Sequence, residues 1–218
     1  PIRLQTHAKL PNMSHFRNQL NLDFSGVSIK NQNISQKEKT ENKMLKKITK
    51  HNFKFKNKIE NDCEVIKQLV SELQPDEILN LISKEFDSPN IVLSFVNQIE
   101  RLFVATWAIT PAGIDALVKI ASNEIIKECW IILDKTHSYK WIFQSDAYKI
   151  LRGKVKIKFL ANHSKFICFQ LSSGEMVNFV GSMNFSRNPR FENITIDKTQ
   201  SNFEFYRDFI KNIGGEIV

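Results

Sequence analysis

Nothing in the 218 residues approaches the run of about 18 apolar residues that a membrane-crossing helix needs, and no charged start is followed by an apolar middle in the manner of a signal peptide. The expectation is a soluble, intracellular (cytoplasmic) chain with no integral membrane association. Cysteine is equally sparse. Cys63, Cys129 and Cys168 are odd in number, far apart and outside any Cys-x-x-Cys spacing, which excludes a disulfide framework and a zinc site and leaves reduced core residues. No internal repeat is present, and His-x-Lys occurs once.

What is present is a hydrophobic fraction of 42% with 17 phenylalanines, enough for a folded core. The length suits one α/β domain with an extension. A net charge of +8 favours a polyanionic partner, because clustered Lys and Arg release counterions from phosphates; nucleic acid comes first and an anionic membrane surface second.

Three segments are expected. Residues 1–62 form a basic extension, lysine-rich from 36 to 62, which reads either as a solvated arm or as a strip that tracks a nucleic-acid backbone with Phe53 and Phe55 as stacking faces. Residues 63–93 form a helical connector, with apolar positions three and four apart on either side of Gln74-Pro75-Asp76 predicting two short helices. Residues 94–218 form the main domain. There "RLFVATWAI" (101–109) and "ECWIILD" (128–134) read as buried strands flanking an amphipathic helix over 110–123, a β-α-β unit that demands parallel pairing. A helix over 138–152, a strand over 155–160, a hairpin over 164–182 turning at Ser172-Ser173-Gly174, a strand over 192–196 and a helix over 202–213 complete it.

The residues suited to chemistry lie between 161 and 196. If His163 and Lys165 are on a strand, they project from one face. An imidazole beside a fixed ammonium serves phosphodiester chemistry: the ring attacks phosphorus while the lysine neutralises the non-bridging oxygens. Gly181 permits close backbone approach, Ser182 and Asn184 can donate to phosphate oxygens without adding charge, and Glu192 is placed to hold the second imidazole nitrogen. Each piece taken singly also reads as a turn or a structural histidine; it is their order at the ends of neighbouring strands that points to a site. Trp107 and Trp130 read as core strand residues, Trp107 near the substrate mouth, while Asp134 and Asp146 are given no catalytic part. His7, His15, His51 and His137 have no Cys or carboxylate at metal-ligand spacing and read as surface or loop positions.

The stretch "HSKFICFQ…VGSMNFSRNPRFENITI" resembles the phospholipase D superfamily, in particular its small nuclease members with one His-Lys motif per chain. His163, Lys165, Gly181, Ser182, Asn184, Glu192 and Asn193 fill the motif's places, and the likeness spans residues 94–218. Gln170 stands where the motif has Asp, and the hairpin to Gly181 is longer than usual. The resemblance implies an α/β fold with a mixed central sheet flanked by helices. It implies a metal-independent hydrolase without cofactor: a phosphodiesterase acting as an endonuclease on DNA ahead of RNA through a covalent phosphohistidine. Catalytic parts fall to His163, Lys165, Asn184 and Glu192, and substrate binding to Gly181, Ser182 and Lys165. With one motif per chain, the site is expected to be shared across a homodimer. The alternatives are a catalytically degenerate nucleic-acid-binding module, to which Gln170 points, and a phospholipid phosphodiesterase. Residues 1–90 are a further candidate for docking a protein partner.

Overall fold

The computed structural model describes residues 53–84, 86–137, 139–187 and 189–217. The chain divides into two units, Pro1–Lys50 and His51–Val218, and every described residue belongs to the second. Most of the expected basic extension, with His7, His15 and His51, lies outside the described residues.

Among the described residues, nine strands form one mixed sheet: β1 (Lys54–Ile59), β2 (Glu77–Lys84), β3 (Ile99–Thr106), β4 (Glu128–Asp134), β5 (Lys156–Leu160), β6 (Phe166–Leu171), β7 (Met176–Gly181), β8 (Phe191–Asp197) and β9 (Glu216–Ile217). Their order across the sheet is β1-β2-β8-β7-β6-β3-β4-β5-β9. The expected β-α-β unit is present, with β3, β4 and β5 parallel. Strands β6, β7 and β8 form an antiparallel meander.

Six helices among the described residues cover the sheet: α1 (Cys63–Glu72), α2 (Ser88–Leu93), α3 (Pro111–Ala121), α4 (Lys140–Phe143), α5 (Asp146–Leu151) and α6 (Gln200–Asn212). Because β3 is central, both of its faces are apolar. Leu102 and Val104 join a core with Ile66, Ile91, Ile114, Leu117 and Leu151 from the helices of one layer. Phe103 and Ala105 join Trp130, Phe166, Phe203 and Ile210 under α6 on the other. This is the predicted α/β architecture of a mixed sheet between helical layers.

Three local expectations change. The connector predicted as two helices holds α1 and then a strand: in "EILNLISK" Glu77, Leu79, Leu81 and Ser83 are buried while alternate residues face outward. A short apolar alternation fits either period, and antiparallel pairing with β8 decides it. Within the expected arm, Lys54–Ile59 extends the sheet parallel to β2. The single helix expected over 138–152 is two, because Ser145 caps a new start by accepting the Tyr148 N–H at 3.3 Å.

Helix α6 does not reach the β1, β2 and β8 end of its layer. There Phe55, Ile59, Ile82 and Phe191 are exposed. Cross-strand register puts Ile59 beside Ile82, Ile82 beside Asn193, and Lys84 beside Phe191, so these side chains share one uncovered face.

Candidate active site

The sheet's topology brings distant pieces of chain to one edge. The carboxyl ends of β3, β4, β5 and β7 meet the amino ends of β6 and β8 there, and the chemistry-bearing residues lie in the loops between them.

His163 and Lys165 are not on a strand, as expected, but in the extended loop that enters β6 at Phe166. The loop is held from beneath by a residue the motif does not contain. Asp134, buried at the end of β4, accepts the Asn162 N–H at 2.7 Å through Oδ2 and the Thr136 N–H at 2.8 Å and hydroxyl through Oδ1. The Thr136 hydroxyl bond, helped by the backbone donors, holds the Asp134 carboxyl below the usual carboxylate range. Asn162, itself buried, donates from Nδ2 to the Thr106 and Ser164 carbonyls, each at 3.2 Å, and its Oδ1 accepts the Ser164 N–H and hydroxyl at 3.1 and 2.7 Å. His163 is thus flanked by two fixed residues while its own imidazole is exposed and, among the described residues, makes no hydrogen bond.

Lys165 bridges to the second strand of the hairpin. Its carbonyl accepts the Gly181 N–H at 3.3 Å, and its ammonium donates to the His163 carbonyl at 3.2 Å. Gly181 is needed here, since a Cβ would lie 2.0 Å from the Asn193 carbonyl oxygen. Ser182 follows, with its N–H donating to that same oxygen at 3.0 Å and its Oγ accepting the Asn193 N–H at 3.0 Å. The Ser182 hydroxyl donates to Glu192 Oε2. Glu192, predicted to hold the imidazole, is therefore turned to Ser182 instead, because the β7–β8 register sets Ser182 and Asn193 side by side.

Asn184 sits in the loop after β7. Its backbone carbonyl accepts the Ser88 hydroxyl at 2.8 Å, and its neighbour Phe185 donates its N–H to Thr106 Oγ1 at 2.9 Å, which docks this loop on the end of β3. Gly113 in the first turn of α3 lets the helix approach, as a Cβ there would meet the Phe185 carbonyl at 2.5 Å. Asn184 Oδ1 is buried with no hydrogen-bond partner. Because Oδ1 only accepts, a phosphate oxygen here would have to be met by the amide's Nδ2–H.

Two aromatic neighbours complete the edge. Trp107, expected in the core, leaves β3 and is 37% exposed, with its ring 5.7 Å from His163 and 4.5 Å from His137, centroid to centroid. Trp130 is buried, as expected. Among the described residues no three His, Cys, Asp or Glu side chains are grouped to hold a metal ion.

The structure brings the predicted His163, Lys165, Ser182 and Asn184 to one edge of the sheet, and it adds the Asp134–Asn162 support and the Trp107–His137 pair, which sequence reasoning missed. One signal was available: an acid and an aromatic at the carboxyl ends of adjacent parallel strands, where open α/β sheets place their sites.

No family model and no curated protein matches the chain. Among solved structures, a phospholipase D family member, Nuc from Salmonella typhimurium, is similar at 16% identity over 65% of this chain and 97% of that one, with a TM-score of 0.49. TrmBL2, an archaeal chromatin protein, is similar at 12% identity over 81% of this chain and 63% of that one, with a TM-score of 0.46. Yeast tyrosyl-DNA phosphodiesterase is similar at 13% identity over 54% of this chain and 31% of that one, with a TM-score of 0.40.

Proposed function

We propose that the chain is a metal-independent phosphodiesterase that cleaves nucleic acid, DNA ahead of RNA, through a phosphohistidine formed on His163. The observation that carries this reading is an exposed, unbonded imidazole on a loop fixed at both sides, with Lys165 two residues away and the Gly181-Ser182 turn hydrogen bonded to that lysine's backbone. A ring nitrogen of His163 attacks phosphorus, and the leaving oxygen takes a proton from a second imidazole. Water then gives its proton to that second imidazole and displaces His163 from phosphorus. Lys165 neutralises the phosphate oxygens, and Asn184 supplies an amide donor. Gly181 lets β8 come close enough for Asn193 to hold Ser182, and Ser182 joins the clamp when its hydroxyl turns from Glu192, which positions it.

The second imidazole is His163 of another copy, which makes the enzyme a homodimer with a site built from both chains. The uncovered face of β1, β2 and β8 supports this. It runs up to Asn193, whose backbone holds Ser182, so a copy packed there lies next to the phosphate clamp.

Gln170 does not weigh against catalysis. It lies four residues along β6 from Phe166, about 13 Å from the strand's active-site end at the usual rise. The test is cleavage of labelled single- and double-stranded DNA and RNA in excess EDTA by wild type and His163→Ala. We expect cleavage by the wild type and a loss of at least about 1000-fold in the variant. Equal cleavage by both, or salt-sensitive binding with no cleavage by either, overturns the reading, the latter in favour of a binding module.

A further inference from the structure

We infer that Trp107 and His137 form a nucleobase subsite beside His163, with the indole as the stacking platform. The inference rests on the nucleic-acid reading above and adds to it the part of the substrate that the phosphate clamp cannot read.

Trp107 follows the last residue of β3, and it is more than a third exposed although Ala105 and Ile109, two residues away on either side, are buried in the core. The ring is nonetheless fixed. Its edge packs on His137 at 73°, and the Trp107 carbonyl accepts the hydroxyl of buried Tyr139 at 3.1 Å. Tyr139 in turn packs on Phe159 of β5, with ring centroids 5.5 Å apart. An exposed aromatic face held this firmly is preorganised for a flat partner, because little freedom remains to be lost on binding. Its position is as telling as its rigidity: the ring lies against His163 at 5.7 Å, so a base attached to a phosphate at His163 has the indole as its nearest flat surface.

His137 is the second, independent observation. Its Nε2 is buried and has no hydrogen-bond partner, and the edge of a stacked base supplies a donor or acceptor for it. A lipid headgroup fits less well. Capture of a quaternary ammonium uses several aromatic faces around one cavity, and here Tyr139 is buried while Trp107 is exposed.

The test uses the full chain carrying His163→Ala, so that binding is read without turnover, and a set of single-stranded DNA oligonucleotides in which one abasic residue is moved along the strand. We expect one abasic position to weaken binding about tenfold, and adding Trp107→Leu to weaken the intact strand by a similar factor while removing sensitivity to that position. Trp107→Phe restores both. Trp107→Leu keeps apolar bulk against His137, and the Phe variant separates lost stacking from lost folding. Unchanged affinity in Trp107→Leu, or an abasic scan without a sensitive position, overturns the subsite while leaving cleavage by the wild type as support for the nuclease reading. Absence of binding to any oligonucleotide, with binding to phosphatidylcholine vesicles, overturns both.

Discussion

Among the described residues the His163 imidazole makes no hydrogen bond, so its position depends on Asn162 and Ser164, and theirs on Asp134. Replacing Asp134 by Asn keeps the shape but removes the charge that accepts three bonds. Removing a charge-assisted acceptor of this kind costs about 1–3 kcal/mol of stability. The expected outcome for Asp134→Asn is lower stability at neutral pH and a fall in kcat with little change in KM, measured by denaturation and steady-state cleavage. Because the Asp134 carboxyl is depressed in the fold, its stabilisation is present above the ordinary carboxylate pKa of about 3.9 and is lost as the pH falls through its lower folded value. The acid limb of the stability curve therefore flattens in the variant, and an unchanged acid limb would contradict this account. The residues proposed to react could be named from the sequence because their types and order are set within a short stretch. Asp134, Trp107 and His137 were not, because their relation to His163 exists only once parallel strands lie side by side.

At the scale of elements, the hinge of the site is the crossing of β7 and β8. Gly181→Ala forces a Cβ against the Asn193 carbonyl, where backbone and not a flexible side chain must move. We expect a loss of about 1–3 kcal/mol, read as a Tm lower by about 2–4 °C for each kcal/mol, and a cleavage defect that persists at temperatures where the variant is fully folded. The β-α-β unit and the hairpin were readable from continuous apolar runs and turn chemistry. β2 was not, since eight residues of apolar alternation bounded by a proline suit a helical turn as well as a strand, and the partner that selects the strand is more than a hundred residues away. The tilt of Glu192 toward Ser182 was hidden for the same reason, as only cross-strand register reveals it.

At the scale of the molecule, the proposed function gives a net charge of +8 and an uncovered apolar strip different partners. Phe191→Glu places a charge in the strip, 68% exposed and away from the core, so the fold is expected to survive. In the dimer proposed above it is expected to weaken association and to lower cleavage per chain most at low protein concentration, as read by solution mass and by activity against concentration. A variant that stays dimeric would place the interface elsewhere. Among the described residues no helix is long and apolar enough to cross a membrane.

The pairing of Leu79 with Ile196 has a consequence for how the chain is made. β2 can pair with β1 as soon as it is made, but its other edge must wait for more than a hundred further residues before β8 exists. During that interval it offers an unpaired apolar edge, and closing so long a loop is slow. Synthesis that stalls before residue 191 leaves that edge open to pairing with another nascent chain.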